Sequence, residues 1–218
     1  MSTLKLLLAD DHEVVRRGLR SILETLRECE VVGEAADGRQ AVAMVKELNP
    51  DIVILDISMP VLNGLEATRQ ILRMRQQTKI LILTVHESDP LIRDVLDAGA
   101  RGYILKTDAG RDLVSAVESL RRNKTFFTSR VSQMILDGFL KGDSRPSNSE
   151  GGGIRLTPRQ REIVQLLAEG KSSKEVAVAL DLSVKTAETH RANIMRKLDC
   201  HSVSEVVRYA IRNKIIEP

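Results

Sequence analysis

Five short apolar segments, separated by stretches with helical start and stop signals, run through the first half of the chain. They are Leu4–Ala9, Val31–Glu34, Asp51–Leu55, Lys79–Thr84 and Gly102–Leu105. Three of them lack the alternation of apolar and polar residues that marks a half-exposed strand, as expected where both faces of a strand are covered. Strands that alternate with helices predict a five-stranded, parallel, doubly wound α/β sheet.

A polar segment divides the chain. Residues Lys141–Gly153 are rich in Gly, Ser, Pro and charge, which is typical of a flexible linker. Every segment after it carries helix signals, and a further helix over Thr128–Leu140 precedes it. The helices predicted after the linker cover Arg159–Glu169, Ser172–Leu180, Ser183–Leu198 and Ser202–Asn213. We predict an α/β domain over residues 1–124, a connecting helix and linker over 125–153, and an all-α domain over 154–218.

Composition restricts the location and the partners of the chain. Cys29 and Cys200 fit neither a disulfide framework nor a zinc motif, which indicates free thiols in a reducing cytoplasm. Leu4–Ala9 is too short for the apolar region of a signal peptide, and no apolar run approaches the ~18 residues that span a bilayer. We therefore expect a cytoplasmic protein with no membrane partner.

Positive charge is concentrated in the last third of the chain. Residues 1–140 hold 19 Lys and Arg against 20 Asp and Glu, whereas residues 141–218 hold 14 against 10. A basic C-terminal part is compatible with a polyanionic partner such as nucleic acid. On charge alone, an ordinary solvated basic surface explains the excess equally well.

Polar side chains stand where the predicted strands end. Asp10 and Asp11 follow the first strand, Asp56 follows the third, Thr84 ends the fourth and Lys106 follows the fifth. Because the carboxyl ends of parallel strands share one edge of the sheet, we expect these side chains to lie close together. Three carboxylates in one cleft repel one another, and Mg²⁺ with oxygen ligands would offset that repulsion.

The same residues suit phosphoryl transfer. Asp56 can act as a nucleophile that forms an acyl phosphate, while Lys106 supplies a positive charge and Thr84 a hydroxyl group for the phosphate oxygens. Taken singly, each residue is more often a loop, cap, strand or surface residue without a chemical role. The combination at one edge favours the functional interpretation.

The N-terminal part of the chain, over roughly residues 4–123, resembles the receiver domain of two-component response regulators, which has a flavodoxin-like fold. The resemblance is carried by LLLADDHEVVRRGL, DIVILDISMPVLNGLEA, ILILTVHE and GARGYILK. It implies that Asp56 is the phosphoacceptor and that a sensor histidine kinase is the phosphoryl donor. It also implies that Pro60 and Gly64 belong to the loop after the phosphorylation site.

The resemblance also implies roles for the surrounding residues. Asp11, Asp56 and the backbone carbonyl of Ser58 would be Mg²⁺ ligands, with Asp10 acting through water. Thr84 and Lys106 would contact the phosphate, and Tyr103 would be the switch aromatic that couples phosphorylation to a change of surface. Val85 departs from the family pattern, in which a small residue often follows the threonine, and we expect it to narrow access to Asp56.

The C-terminal segment Ser172–Leu198 predicts two helices joined by a short turn. Val176, Ala177 and Leu180 form an apolar stripe on the first helix, and Ser183 is a suitable N-cap for the second. In the second helix, the residues expected to face the core of the domain are Val184, Ala187, Ile194 and Leu198. The remaining polar, basic face suits a DNA major groove, although a small helical bundle with a charged surface is an equal alternative on spacing alone.

Residues 154–216 further resemble the LuxR-type helix-turn-helix of the NarL/FixJ class, through LTPRQREIVQLLAEGKSSKEVAVALDLSVKTAETHRANIMRKLDCHS. The resemblance implies a recognition helix over Ser183–Lys197. Residues expected near base edges are Glu188, Thr189 and Ala192, and residues expected near phosphates are Lys174, Lys185, Thr186, His190, Arg191 and Arg196. It also implies dimerisation through the last helix, whose Val203, Val206, Val207 and Ala210 would be exposed. Alternatively, these four residues close the domain core.

The sequence and its resemblances thus predict a phosphorylation-controlled, DNA-binding transcription regulator that is not an enzyme and forms a homodimer when phosphorylated. Two alternatives remain open. One is a Mg²⁺-dependent phosphatase or phosphotransferase, but such enzymes commonly carry a second Asp two residues after the nucleophile, where this chain has Ser58. The other is an adaptor whose C-terminal helices bind protein. The four histidines are scattered along the sequence, and we expect no metal site among them.

Overall fold

The computed structural model describes residues 3–85, 88–140 and 156–216. The chain divides into an N-terminal and a C-terminal compact unit. The predicted linker Lys141–Gly153 lies outside the described residues. The extents of the three predicted domains therefore remain a prediction.

The N-terminal unit is a parallel α/β sheet with helices on both faces. Its strands are β1 (Leu4–Ala9), β2 (Cys29–Ala35), β3 (Ile52–Asp56), β4 (Lys79–Thr84), β5 (Gly102–Leu105) and β6 (Phe126–Phe127). Its helices are α1 (Glu13–Leu23), α2 (Gly38–Leu48), α3 (Gly64–Met74), α4 (Asp89–Asp97), α5 (Ala109–Arg121) and α6 (Ser129–Leu140). The strands pair in the order β2-β1-β3-β4-β5-β6, and every pair is parallel.

The sheet has six strands, so the predicted number of five is wrong. The additional strand β6 holds only two residues and pairs at the edge, with Phe126 beside Gly102 and Phe127 beside Tyr103. Two residues cannot display a period, and the apolar pattern therefore gave no sign of this strand. The predicted parallel, doubly wound architecture is otherwise confirmed.

Apolar side chains from both faces of the sheet form the core. On one face, Leu6, Leu8 and Ile54 pack with helices α1 and α5. On the other, a Cβ placed on Gly33 would contact Leu7 and Leu48, which shows α2 against the opposite side of β1. Strands covered on both faces explain the continuous apolar runs in the sequence.

The strand order shows where a parallel sheet of this kind can bind a ligand. From β1 the chain passes to β2 on one side of the sheet and then to β3 on the other side of β1. Outside the carboxyl ends of β1 and β3 the two crossover connections run in opposite directions and leave a crevice. Asp10, Asp11 and Asp56 come from these two strand ends.

The described residues of the C-terminal unit form a bundle of four helices. They are α7 (Pro158–Ala168), α8 (Ser173–Leu180), α9 (Val184–Leu198) and α10 (Val203–Arg212). Their bounds lie within one residue of those predicted, because the caps are strong sequence signals. Thr157 with Gln160 and Ser172 with Glu175 form capping boxes at the starts of α7 and α8.

Side-chain hydrogen bonds connect α7 to the C-terminal ends of α8 and α9. Arg159 on α7 donates to the Leu180 carbonyl at the end of α8 (2.8 Å) and to Glu162 (2.9 Å). Lys197 near the end of α9 donates to Gln160 on α7 (3.1 Å). Within the described ranges, no helix is both long enough and apolar enough to cross a membrane.

Candidate functional site

Three carboxylates and one imidazole meet at the carboxyl edge of the sheet. Asp10 and Asp11 follow β1, and Asp56 is the last residue of the adjacent β3 rather than the residue after it. One ligand atom from each of Asp10, Asp11, His12 and Asp56 lies within 4.8 Å of the others. The three aspartates predicted at this edge are therefore neighbours in space.

The ammonium group of Lys106 joins two of these carboxylates. Its Nζ lies 2.7 Å from Asp10 Oδ2 and 2.8 Å from Asp56 Oδ2. The Asp10 and Asp56 side chains are 1% and 2% exposed, so both carboxylates need a compensating charge. One ammonium cannot neutralise three carboxylates, and this donor set of clustered oxygens fits a hard divalent cation.

Burial and the interaction between the two side chains shift the pKa values of Asp56 and Lys106. Burial raises the pKa of the Asp56 carboxyl, and the hydrogen bond and charge of Lys106 offset only part of this rise. For Lys106, burial lowers the pKa, but its hydrogen bonds and charge interactions with Asp10 and Asp56 outweigh burial and raise it. Lys106 is therefore protonated at neutral pH, and additional positive charge beside Asp56 would favour the ionised carboxylate.

The loop after β3 packs its backbone against Asp56. The Ser58 N–H donates a hydrogen bond to the Asp56 carboxylate, and the Gly64 N–H donates to the Ile57 carbonyl (2.9 Å). A Cβ on Gly64 would lie 2.0 Å from the backbone oxygen of Asp56. Only glycine lets α3 begin this close to the end of β3.

Thr84 and Tyr103 are completely buried next to this edge. Thr84 ends β4 beside Leu105 of β5, and Tyr103 lies on β5 with 0% exposure. Tyr103, which the sequence predicts as the switch aromatic, has a buried ring in this structure. Val85, which follows Thr84, is 56% exposed.

Two residues at the site were missed by the sequence analysis. No metal site was expected among the histidines, yet His12 belongs to the cluster that could hold a metal ion, and its Nδ1 lies 2.8 Å from Asp11 Oδ1 and 3.3 Å from Asp10 Oδ1. Arg16 donates from Nη1 to the Asp10 backbone carbonyl at 2.7 Å. The available signals were the adjacency of His12 to Asp11 and the placement of Arg16 one helical turn later.

In the C-terminal unit, α8 and α9 form a helix-turn-helix. Asp181 ends α8 in the left-handed conformation (φ 51°, ψ 54°), and the Ser183 side chain caps α9 by accepting from the Thr186 N–H (3.1 Å). Ala187 and Ile194 anchor α9 in the core. The predicted core position of Val184 is wrong, because this N-terminal side chain is 39% exposed.

Most residues predicted to contact DNA are exposed to solvent. The exposed ones are Lys174, Lys185, Thr186, Glu188, Thr189, Ala192 and Arg196, and the partly buried ones are His190 and Arg191. Two hydroxyls also have local partners, since Thr186 contacts Ser183 Oγ (2.8 Å) and Thr189 donates to the Lys185 carbonyl (2.8 Å). A polar, basic face on the second helix is what major-groove binding requires.

The last helix is less exposed than predicted. Val206 and Ala210 are 1% and 0% exposed, so the alternative in which they close the domain core is correct for these two. Val203 remains 38% exposed. The period of an amphipathic helix shows which residues share a face but not what covers that face.

Comparison with known proteins gives both parts of the chain a family. Residues 6–118 match the response regulator receiver domain, and residues 155–210 match the LuxR family of bacterial regulatory proteins. The chain is 39% identical to the oxygen regulatory protein NreC of Staphylococcus carnosus (strain TM300), over 98% of this chain and 100% of NreC. It is 36% identical to the transcriptional regulatory protein LiaR of Bacillus subtilis (strain 168), over 98% of this chain and 99% of LiaR.

A solved structure is similar over nearly the whole chain. It contains two RcsB dimers bound to two parallel DNAs, with 28% identity, a TM-score of 0.58, and coverage of 95% of this chain and 98% of that chain. The family consists of transcriptional response regulators, which are not enzymes, so the phosphatase alternative is rejected. The chain belongs to the response regulators that combine a receiver domain with a LuxR-type DNA-binding domain.

Proposed function

We propose that this regulator accepts a phosphoryl group on Asp56 from the phosphohistidine of a sensor histidine kinase and that this modification controls promoter binding. The observation that carries the proposal is the placement of Asp56, which is buried beside Lys106 and within reach of Asp10 and Asp11. The clustered carboxylates require a cation, and the same cation would offset the negative charge of an incoming phosphoryl group.

In the proposed step, one Asp56 carboxylate oxygen attacks phosphorus as the bond between phosphorus and the kinase imidazole nitrogen breaks. Lys106 follows the transferred group and pairs with a phosphate oxygen, and the Thr84 hydroxyl donates to another. Asp11, Asp56 and the Ser58 carbonyl would hold Mg²⁺, with Asp10 acting through water. When bound, Mg²⁺ neutralises charge on the phosphoryl oxygens during transfer.

Phosphorylation would then shift a balance between two conformations of the receiver. Lys106 contacts two carboxylates in the structure, so a phosphoryl group on Asp56 changes the partners of this lysine. Thr84 and Tyr103 would respond from adjacent strands, with the buried Tyr103 ring kept in the conformation that phosphate favours. Phosphate need only bind one conformation better than the other to shift the population.

The DNA-binding part of the proposal places α9 in the major groove. Glu188, Thr189 and Ala192 would face base edges, while basic residues including Lys174, Lys185 and Arg196 would contact phosphates. RcsB binds DNA as dimers, and we propose that this chain likewise acts as a homodimer when phosphorylated. Partnership with a kinase and with promoter DNA implies a cytoplasmic location.

The function is tested by selecting bound genomic fragments with and without acetyl phosphate and Mg²⁺. We expect a defined set of fragments to be enriched more strongly when the phosphodonor is present. Equal enrichment in both samples would contradict phosphorylation control. Failure to bind any duplex at low salt would instead favour the protein-binding adaptor.

Replacing Lys185 with Ala is expected to weaken binding to all duplexes alike. The negative slope of log affinity against log salt should become shallower by about one, because one phosphate contact is lost. Glu188→Ala should instead change the preferred bases and leave the slope unchanged, because Glu188 is proposed to face base edges and not phosphates. Lys124→Ala, an exposed lysine of the N-terminal unit, is the control. Unequal losses for Lys185→Ala among different duplexes would argue against a phosphate contact.

A further inference from the structure

An arginine of α1 reaches back to the loop that carries the predicted metal ligands. Arg16 Nη1 donates to the Asp10 carbonyl at 2.7 Å, and Arg16 Nε donates to Glu34 Oε2 at 3.3 Å. Arg20, one turn later, donates from Nε to Glu34 Oε1 at 2.6 Å. We call Arg16, Arg20 and Glu34 the arginine brace. It connects α1, the carboxyl end of β2 and the end of β1.

The brace completes the hydrogen bonding of the Asp10 backbone. The Asp10 N–H donates to the Ala35 carbonyl in the ladder between β1 and β2 (3.1 Å), and the Asp10 carbonyl accepts from Arg16. The Asp10 carbonyl belongs to the peptide that joins Asp10 to Asp11, so its hydrogen bond with Arg16 restrains the orientation of that peptide plane. Arg16 thereby influences the backbone position of Asp11. It does so through the Asp10 backbone carbonyl and not through the Asp10 or Asp11 carboxylate.

Charge and burial show that the brace is formed by paired groups rather than by chance contacts. Arg16 and Glu34 are 15% and 26% exposed. Burial alone would raise the pKa of Glu34, but the hydrogen bonds and charges of Arg20 and Arg16 outweigh it and lower the pKa below its usual range. Glu34 is therefore ionised at neutral pH and holds both guanidinium groups in place.

We infer that Arg16 is a positioning residue for divalent cation binding at Asp10, Asp11 and Asp56, an inference that rests on the proposed function. Mg²⁺ demands near-ideal geometry from its ligands, so a displaced Asp11 loses affinity for the ion even when the fold is intact. Groups that orient metal ligands typically change metal affinity by roughly 10- to 100-fold. Arg20 can still pair with Glu34 when Arg16 is replaced, so we expect the metal site to change more than the stability of the fold.

The test is a calorimetric titration of the full chain with Mg²⁺, combined with labelling rates from acetyl phosphate over a range of Mg²⁺ concentrations. Arg16→Met is expected to raise the Kd for Mg²⁺ roughly 10-fold or more. Its labelling rate at saturating Mg²⁺ should stay close to that of the wild type, because the nucleophile is untouched. Arg16→Lys should restore part of the affinity, since an ammonium can still donate to the Asp10 carbonyl.

Arg17→Met is the matched control, since the adjacent Arg17 is 78% exposed and pairs with Glu13. An Arg16→Met protein with the same Kd for Mg²⁺ as Arg17→Met would overturn the inference. Glu34→Gln is the second variant should Arg16→Met fail to fold, and it should raise the Kd by a smaller factor; an unchanged Kd would again overturn the inference. A wild-type chain that neither binds Mg²⁺ nor takes up label would contradict the proposed function itself.

Discussion

Replacing Asp56 with Asn is expected to abolish phosphoryl uptake and, without Mg²⁺, to raise the free energy of unfolding at neutral pH. The amide lacks the nucleophilic carboxylate oxygen, so no acyl phosphate forms. Asparagine also removes a buried negative charge 2.8 Å from Lys106, which keeps its contact with Asp10 at 2.7 Å. The substitution therefore relieves repulsion among the carboxylates and leaves Lys106 paired.

The sign of the stability change follows from the pKa of Asp56. Burial raises this pKa in the folded state, so the wild-type chain loses stability as pH rises from the unfolded pKa of Asp, about 3.9, through the higher folded pKa. A tenfold difference in acidity between the two states corresponds to about 1.4 kcal/mol. Asp56→Asn should lack this loss and show a flatter pH profile.

The prediction is checked by measuring hydrogen exchange of the β3 amides in the full chain, in EDTA and across pH 4 to 8. Because β3 belongs to the N-terminal unit, its exchange reports the unfolding of that unit. Glu47→Gln, at an exposed carboxylate near the end of α2, is the control and should match the wild type. An Asp56→Asn variant that is less stable than the wild type at neutral pH would show that the ionised carboxylate is favoured by its surroundings.

Replacing Gly64 with Ala should disrupt the site even though it adds only one methyl group. The new Cβ would lie 2.0 Å from the Asp56 backbone oxygen and 2.8 Å from its carbonyl carbon, so the backbone of β3 or α3 must move. Overpacking typically costs about 1–3 kcal/mol and occasionally more, and here no flexible side chain can yield. We expect a loss at or above that range, together with slower phosphoryl uptake by the displaced Asp56.

Gly18→Ala is the matched control for this substitution. Gly18 lies within α1, and a Cβ there would meet nothing within 4 Å. Alanine is a better helix former than glycine by about 1 kcal/mol, so this variant should be equally or more stable than the wild type. Denaturant unfolding and labelling rates measured on both variants check the pair. A Gly64→Ala protein as stable and as active as Gly18→Ala would contradict the close approach of α3 to Asp56.

Much of the fold and the centre of the candidate site followed from local sequence signals. Runs such as Ile52–Leu55 indicate strands covered on both faces, and the polar residues after them share an edge because parallel strands point the same way. The bounds of the C-terminal helices could also be predicted from the sequence, because the side chains of Thr157, Ser172 and Ser183 each cap the start of a helix.

The features that escaped prediction depend on contacts between distant residues. Arg16 meets Glu34 across 18 positions, and no period in α1 reveals that meeting. His12 is a sequence neighbour of Asp10 and Asp11, but it lies near Asp56 only because β1 ends beside β3, and β6 exists only as an edge partner of β5. For Val184 the helical period was correct, but its place at the first turn of α9 leaves it uncovered.

The central claim is that the carboxylate of Asp56, held at the sheet edge with Asp10, Asp11 and Lys106, receives the phosphoryl group. Peptide mapping by mass spectrometry, after incubation of the wild-type chain with acetyl phosphate and Mg²⁺, tests it most directly. We predict one phosphoryl group, on the peptide that contains Asp56, and none when EDTA removes the cation. Label on Asp10, Asp11 or Ser58, or equal labelling in EDTA, would contradict the claim.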